Sequence, residues 1–116
     1  MQAVKVAILF ALIATALARP GSIRVLNSGG YVAYFELKYH LNGQDKKEET
    51  SNYTAGVAKS LSIPDGATNI QITAYAYIFF GTTSVVFTKT LDAPEDLCYT
   101  ISGTTLNLSH TKTDCS

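Results

Sequence analysis

The sequence predicts an all-β chain folded as a two-sheet β-sandwich of immunoglobulin-like size. Three observations carry this expectation. Two long runs, residues 31–41 and 69–80, alternate apolar and polar side chains at the period of a strand. The shorter apolar runs around them are separated by clusters of Gly, Pro, Asn and Asp. Beyond the N-terminal segment no stretch has helical periodicity, and no internal repeat is visible.

Residues 1–18 carry one lysine, Lys5, then an apolar run over 6–17 that ends in the small-x-small pattern Ala16-Leu17-Ala18. This reads as a secretory signal peptide. The run is short for a bilayer, which takes about 20 residues of helix, and Arg19-Pro20-Gly21 breaks any helix. One domain over residues 19–116 is therefore expected, secreted and extracellular rather than anchored, and monomeric. The chain has 9 Lys+Arg against 9 Asp+Glu, so removing Lys5 leaves one excess acid. Nucleic acid is excluded as a partner, because phosphate binding needs clustered Lys and Arg.

Residues 22–26 form a short first strand, ended by the turn signal Asn27-Ser28-Gly29-Gly30. In 31–41 the residues Tyr31, Ala33, Phe35, Leu37, Tyr39 and Leu41 share a core face. Val32, Tyr34, Glu36, Lys38 and His40 share a mostly wet one. Asn42-Gly43 is a tight hairpin turn, and 44–50, with Lys46, Lys47, Glu48 and Glu49, is a solvated edge strand. Residues 52–56 are a loop, 57–63 a strand, and Pro64-Asp65-Gly66 a turn. In 69–80 the residues Ile70, Ile72, Ala74, Ala76 and Ile78 alternate with Gln71, Thr73, Tyr75, Tyr77 and Phe79 until Gly81 breaks the run. Residues 83–91 return as a strand, and 92–96 are a polar loop containing Pro94. About seven strands result.

The last segment, 97–116, holds both cysteines. Cys98 and Cys115 stand symmetrically about the Leu106-Asn107 step, so a hairpin folded there brings the sulfurs opposite each other and rigidifies an exposed Thr105-Leu106 tip. Two cysteines in a secreted chain favour a disulfide over a metal site. In the loop-entropy picture, closing roughly 16 residues stabilises by about 3 kcal/mol. Zinc wants four ligands, and His40 and His110 do not sit at ligand spacing from the cysteines. The chain has no Gly-x-Ser-x-Gly elbow, no phosphate-cradling glycine loop and no carboxylate pair outside the solvated charge run. It is expected to be no enzyme, without cofactor or metal.

The tip Ile101-Ser102-Gly103-Thr104-Thr105-Leu106 resembles the membrane-facing loop of the C-terminal domain of the cholesterol-dependent, thiol-activated cytolysins, where a Thr-Leu pair recognises cholesterol. Asn27-Ser28-Gly29-Gly30-Tyr31-Val32-Ala33-Tyr34-Phe35-Glu36 is similar to that domain's opening segment. Ser62-Ile63-Pro64 and Asn69-Ile70-Gln71-Ile72 are similar to its Ile-Pro and Asn-Ile-Arg-Ile. The order agrees over nearly the whole mature chain. The family's domain is a β-sandwich standing end-on to the membrane. By position, the resemblance implies a sterol contact at Thr105 and Leu106 and tip-loop contacts at Gly29, Gly30, Ala55, Val57, Ile78, Phe79, Phe80 and Thr104.

Departures from the family pattern are equally specific. Bacterial cytolysins carry a tryptophan-rich segment with a cysteine after the Ile-Arg-Ile strand; this chain has no tryptophan, and Tyr75-Ala76-Tyr77-Ile78-Phe79-Phe80-Gly81 stands there. Thiol activation is therefore ruled out. Only a signal peptide lies upstream, so self-sufficient pore formation is not expected. Asn52-Tyr53-Thr54 and Asn107-Leu108-Ser109 are acceptor sequons for N-glycans near the same end, and a glycan on Asn107 would hold the tip off a bilayer. Two function classes follow. One is a secreted membrane-recognition module for cholesterol. The other is a module that has moved to a cell-surface glycan or protein, with Tyr31, Tyr53 and Tyr77 as aromatic platforms.

Overall fold

The computed structural model describes residues 19–115, so the expected signal peptide lies outside the described residues. The strands are β1 (Gly21–Asn27), β2 (Ala33–Leu41), β3 (Gln44–Glu49), β4 (Val57–Ile63), β5 (Thr68–Tyr77), β6 (Thr83–Leu91), β7 (Asp96–Thr104) and β8 (Asn107–Thr113). They form two four-stranded sheets in the orders β4-β1-β7-β8 and β3-β2-β5-β6. Neighbours run antiparallel except β1 and β7, which pair in parallel.

The core is the meeting of the two inner faces. Ile23 and Val25 of β1 and Ile101 of β7 lie under Phe35 and Leu37 of β2 and Ile72 of β5, all fully buried. The predicted alternation is therefore observed on the two long strands. At one lateral side Phe87 of β6 stacks on Tyr99 of β7 at 4.4 Å and on His110 of β8 at 5.2 Å between ring centroids. His110 thus belongs to a strand that closes the sandwich. At the other side β3 is exposed at every position, the solvated charged edge expected from its sequence. Asn42 and Gly43 both take positive φ, 52° and 78°, as a two-residue hairpin turn of the primed kind requires.

The eight strands of the described residues agree with the expected seven or so, the C-terminal hairpin supplying two of them. Two expectations are corrected. Glu36, placed on the wet face, is nearly buried: it accepts from the Tyr75 hydroxyl at 3.2 Å and pairs with Lys47 Nζ at 3.2 Å. The hairpin register pairs Thr104 with Asn107 and Cys98 with Thr113, so the turn is Thr105-Leu106 and the cysteines are not cross-strand neighbours. Cys115, beyond the end of β8, still reaches Cys98, with 5.3 Å between Cα atoms, and the disulfide forms. It closes the hairpin at the end opposite its turn, so it does not brace Thr105-Leu106 directly.

Asn27 is fully buried at the end of β1. Its Nδ2 donates to the carbonyl oxygens of Tyr31 at 2.8 Å and Tyr53 at 3.3 Å, and its Oδ1 accepts from Gly29 N–H at 2.9 Å. Its own carbonyl accepts from Gly56 N–H at 2.6 Å. One amide side chain thus satisfies buried backbone groups in both the β1–β2 and β3–β4 connections, where water cannot. Asn27→Ala should lower the unfolding free energy by about 2–4 kcal/mol, since it strips several bonds and leaves their partners unpaired. For a domain of this size that is a fall of more than about 8 °C in Tm. A thermal melt indistinguishable from wild type would contradict this role.

Candidate functional site at one end of the sandwich

Register places four connections at the same end. Asn27 at the end of β1 pairs with Val57 at the start of β4 and with Ile101 of β7. Ala33 at the start of β2 pairs with Ala76, and Tyr77 at the end of β5 pairs with Thr83. The connections 28–32, 50–56 and 78–82 and the turn 105–106 therefore cluster, while the 42–43, 64–67 and 92–95 turns and the disulfide lie at the other end. The neighbouring connections are tied together. Ser28 N–H donates to Ile101 O at 2.8 Å, Gly30 N–H to Gly103 O at 3.0 Å, and the Tyr31 hydroxyl to Ser102 O at 2.8 Å. The Tyr53 hydroxyl donates to Val25 O at 3.1 Å.

Two glycines make this packing possible. A Cβ on Gly29 would enter the ring of Tyr31, and one on Gly103, at φ 90°, would strike the carbonyl oxygen of Asn107. Gly29 is accordingly buried, which corrects its expected role as a tip contact: it seats Tyr31 instead. Tyr31 and Tyr53 are core residues, 7% and 4% exposed, and burial pushes both phenols up. They are not aromatic platforms. Tyr77 alone of the three remains half-buried.

The large hydrophobic side chains that the described residues expose gather at this end, among uncharged polar ones. Leu106 is 84% exposed, Phe80 104%, Phe79 55% and Val57 40%. Only Val85, at 51%, joins them among large exposed hydrophobics of the described residues, and it lies two positions along β6 from the same end. Gly30, Ala55 and Thr104 are exposed, and Thr105 and Ile78 are half-buried. Leu106 N–H donates to Thr104 Oγ1 at 3.3 Å, which shapes the turn and leaves the leucine pointing outward. In the β5–β6 turn, Ile78 N–H donates to Thr82 O at 3.0 Å and Thr82 N–H to Phe79 O at 2.8 Å, with Phe80 held at φ 49°. A bulky residue in left-handed geometry costs about 1–3 kcal/mol, and such outliers gather at functional sites. Phe80 touches no core that would repay this.

The sequon asparagines Asn52 and Asn107 are both exposed, at this end. Among the described residues no group of three or more His, Cys, Asp or Glu could hold a metal ion. Sequence reasoning missed Asn27, taken as an ordinary turn residue, and Val85; the signal for Asn27 was its place in the Asn-Ser-Gly-x-Tyr segment rather than its polarity.

A family model described as the thiol-activated cytolysin beta sandwich domain matches residues 22–109. No match was found among curated protein sequences. Among solved structures the chain is similar to listeriolysin O, with 21% identity and a TM-score of 0.63 over 85% of this chain and 23% of that one. It is similar to suilysin from Streptococcus suis, at 20% identity and a TM-score of 0.64, covering 85% and 24%. It also matches a disulfide-locked mutant of intermedilysin solved with human CD59, at 16% identity and a TM-score of 0.62, covering 85% and 25%. The chain thus spans about a quarter of the length of these toxins, and at such identities the likeness shows the fold.

Leu106→Ala should leave Tm within about 2 °C of wild type, because the side chain buries little, whereas Tyr31→Phe should cost about 1 kcal/mol for its hydrogen bond to Ser102. A large loss from Leu106→Ala would place the leucine in the core. Burial pushes the Glu36 carboxyl up, but the bonds and charge of Lys47 and the Tyr75 hydroxyl outweigh it and hold the pKa below its usual 4.5. The stability this carboxylate contributes is present above that value and is lost as pH falls through the lowered one. Glu36→Gln should therefore flatten the acid limb of a Tm-against-pH curve below about pH 4.5; an unchanged acid limb would show that the pair contributes nothing.

Proposed function

Because this chain belongs to the family of thiol-activated cytolysin β-sandwich domains, we propose that it is a secreted, non-enzymatic membrane-recognition module that binds sterol-rich membranes through its loop end. The observation that carries this reading is the gathering of Leu106, Phe80, Phe79 and Val57, exposed and without a role in the core, at one end, where 28–32, 50–56 and the C-terminal hairpin are hydrogen-bonded to one another. Thr105 and Leu106 would meet the sterol hydroxyl and first ring, with Gly30, Ala55, Ile78 and Thr104 around them.

Magnitudes require several contacts. Burying one leucine is worth about 1.5–3 kcal/mol, while micromolar binding takes about 8 kcal/mol. Leu106, Phe80 and Phe79 together reach that range and Thr105-Leu106 alone does not. In the segment where the family pattern carries its tryptophans, this chain has Phe79-Phe80 in the β5–β6 turn. No helix of the described residues is long and apolar enough to cross a membrane. A strand hairpin could leave the sandwich only by exposing its own core, so recognition without perforation is the activity proposed.

A protein at the same end is the second reading, favoured by the intermedilysin structure with human CD59. Co-sedimentation with vesicles of stepped cholesterol content tests the first. Wild type should pellet in proportion to cholesterol, and Leu106→Ala should lose roughly ten-fold or more in affinity, the worth of about 1.4 kcal/mol, at unchanged Tm. A Leu106→Ala protein that binds such vesicles like wild type would remove the Thr-Leu pair from the site. The purified wild type should also fail to lyse erythrocytes, and lysis by the monodisperse protein would overturn the non-perforating reading.

A further inference from the structure

The two outer faces of the sandwich differ in a way that the loop end does not explain. On the β3-β2-β5-β6 sheet, Tyr77 and Thr83 pair in the row nearest the loops, and Tyr34, Tyr75 and Val85 form the next. The rings of Tyr34 and Tyr75 stack at 4.9 Å, and Tyr77 lies 5.7 Å from Tyr34. No charge stands in these rows. Charge begins one row further along, where Glu36 pairs with Glu49 across the ladder and bonds Lys47. From the loops outward this face therefore runs from Phe79-Phe80, through half-buried tyrosines and an exposed valine, to ion pairs.

The outer face of the other sheet is unlike it. Leu108 packs on the core, so alternation turns Asn107 and Ser109 outward. In its β7–β8 half the outward cross-strand pairs are Thr104 with Asn107, Ser102 with Ser109 and Thr100 with Thr111, and only in the third row do Leu26 and Ala58 of the β1–β4 half stand beside Thr100. In the two rows nearest the loops, hydroxyls and a sequon asparagine occupy the positions that tyrosines hold opposite.

We propose that the domain docks on a bilayer leaning onto the outer face of the β3-β2-β5-β6 sheet, with Tyr34, Tyr75 and Tyr77 at the level of the lipid headgroups, rather than standing upright. Tyrosine is enriched at that level because its ring is apolar and its hydroxyl stays wet. The uncharged tyrosine rows are continuous with the exposed phenylalanines, and the ion pairs of Glu36 and Lys47 mark where the face must leave the lipid. Leaning this way also turns Asn107 away from the bilayer. The inference rests on the membrane reading given above.

The test uses vesicles of phosphatidylcholine and cholesterol and two variants of the full secreted chain, Val85→Cys and Ser109→Cys, each with one added thiol beside the Cys98–Cys115 disulfide and each labelled there with a polarity-sensitive fluorophore; both also carry Asn107→Gln, because a change at Ser109 ends the Asn107 sequon. Both positions are exposed, so neither change enters the core. The label at 85 should shift to the blue on vesicles and the label at 109 should not. The double variant Tyr34→Ser, Tyr75→Ser should lose roughly ten-fold in vesicle affinity, equivalent to about 1.4 kcal/mol; should it not fold, the labels still decide. Equal shifts at both positions, or a shift at 109 alone, would overturn the lean while leaving membrane binding intact. Wild type that fails to bind vesicles at any cholesterol content would overturn both.

Discussion

The buried amide of Asn27 is the constraint on which the loop end depends. A sandwich of this size has little core with which to hold its connections still, and the residues that would touch a partner, Leu106, Phe79, Phe80 and Val57, are outside that core. What fixes their surroundings is polar. Asn27 binds the carbonyls of Tyr31 and Tyr53 and the amides of Gly29 and Gly56. Tyr31 then reaches Ser102 at the neck of the C-terminal hairpin, and Tyr53 returns to Val25. Two connections and the hairpin are joined through buried groups, each satisfied, and among the described residues no buried side-chain polar atom lacks a partner. The apolar residues at the apex can then be spent on the outside because they are not needed within.

This arrangement divides the molecule end from end. The disulfide from Cys98 to Cys115 and the turn at 64–67 lie at the far end, where they hold chain ends and loops rather than the site. The charged hairpin of β2 and β3 belongs to that far half as well, with His40 against Asp45 at 3.0 Å. At the near end exposed charge is scarce, and one turn tolerates a phenylalanine in left-handed geometry. Conformational cost and exposed hydrophobicity coincide at a single loop, which is difficult to account for by folding alone.

Much of this was legible in the sequence, for identifiable reasons. Period-two alternation in 31–41 and 69–80 announced β2 and β5, the two strands that dominate the core, and Asn42-Gly43 announced the hairpin turn from β2 into β3. The Gly-Thr-Thr-Leu tip and the segment beginning at Asn27 were singled out together, and register brings them to one end of the sandwich. Failures occurred where pairing, not pattern, decides. Symmetry of Cys98 and Cys115 suggested a turn one step too far, because a disulfide can close from beyond the end of a ladder. The parallel pairing of β1 with β7 leaves no local signature in either strand. Tyr53 looked like an exposed aromatic in a loop, and Tyr31, on the core face of its run, was also offered as a platform; hydroxyl bonds to backbone carbonyls hold both in the core. The tyrosine rows of the outer face became visible only once the register set Tyr34 beside Tyr75.

Amide hydrogen exchange of the wild-type protein, with and without vesicles containing cholesterol, tests the central claim most directly. The account predicts added protection at residues 28–31, 55–57, 77–85 and 103–106, with the turns at 64–67 and 92–95 unchanged. Protection centred on the far-end turns, or none anywhere under conditions where the protein pellets with the vesicles, would contradict it.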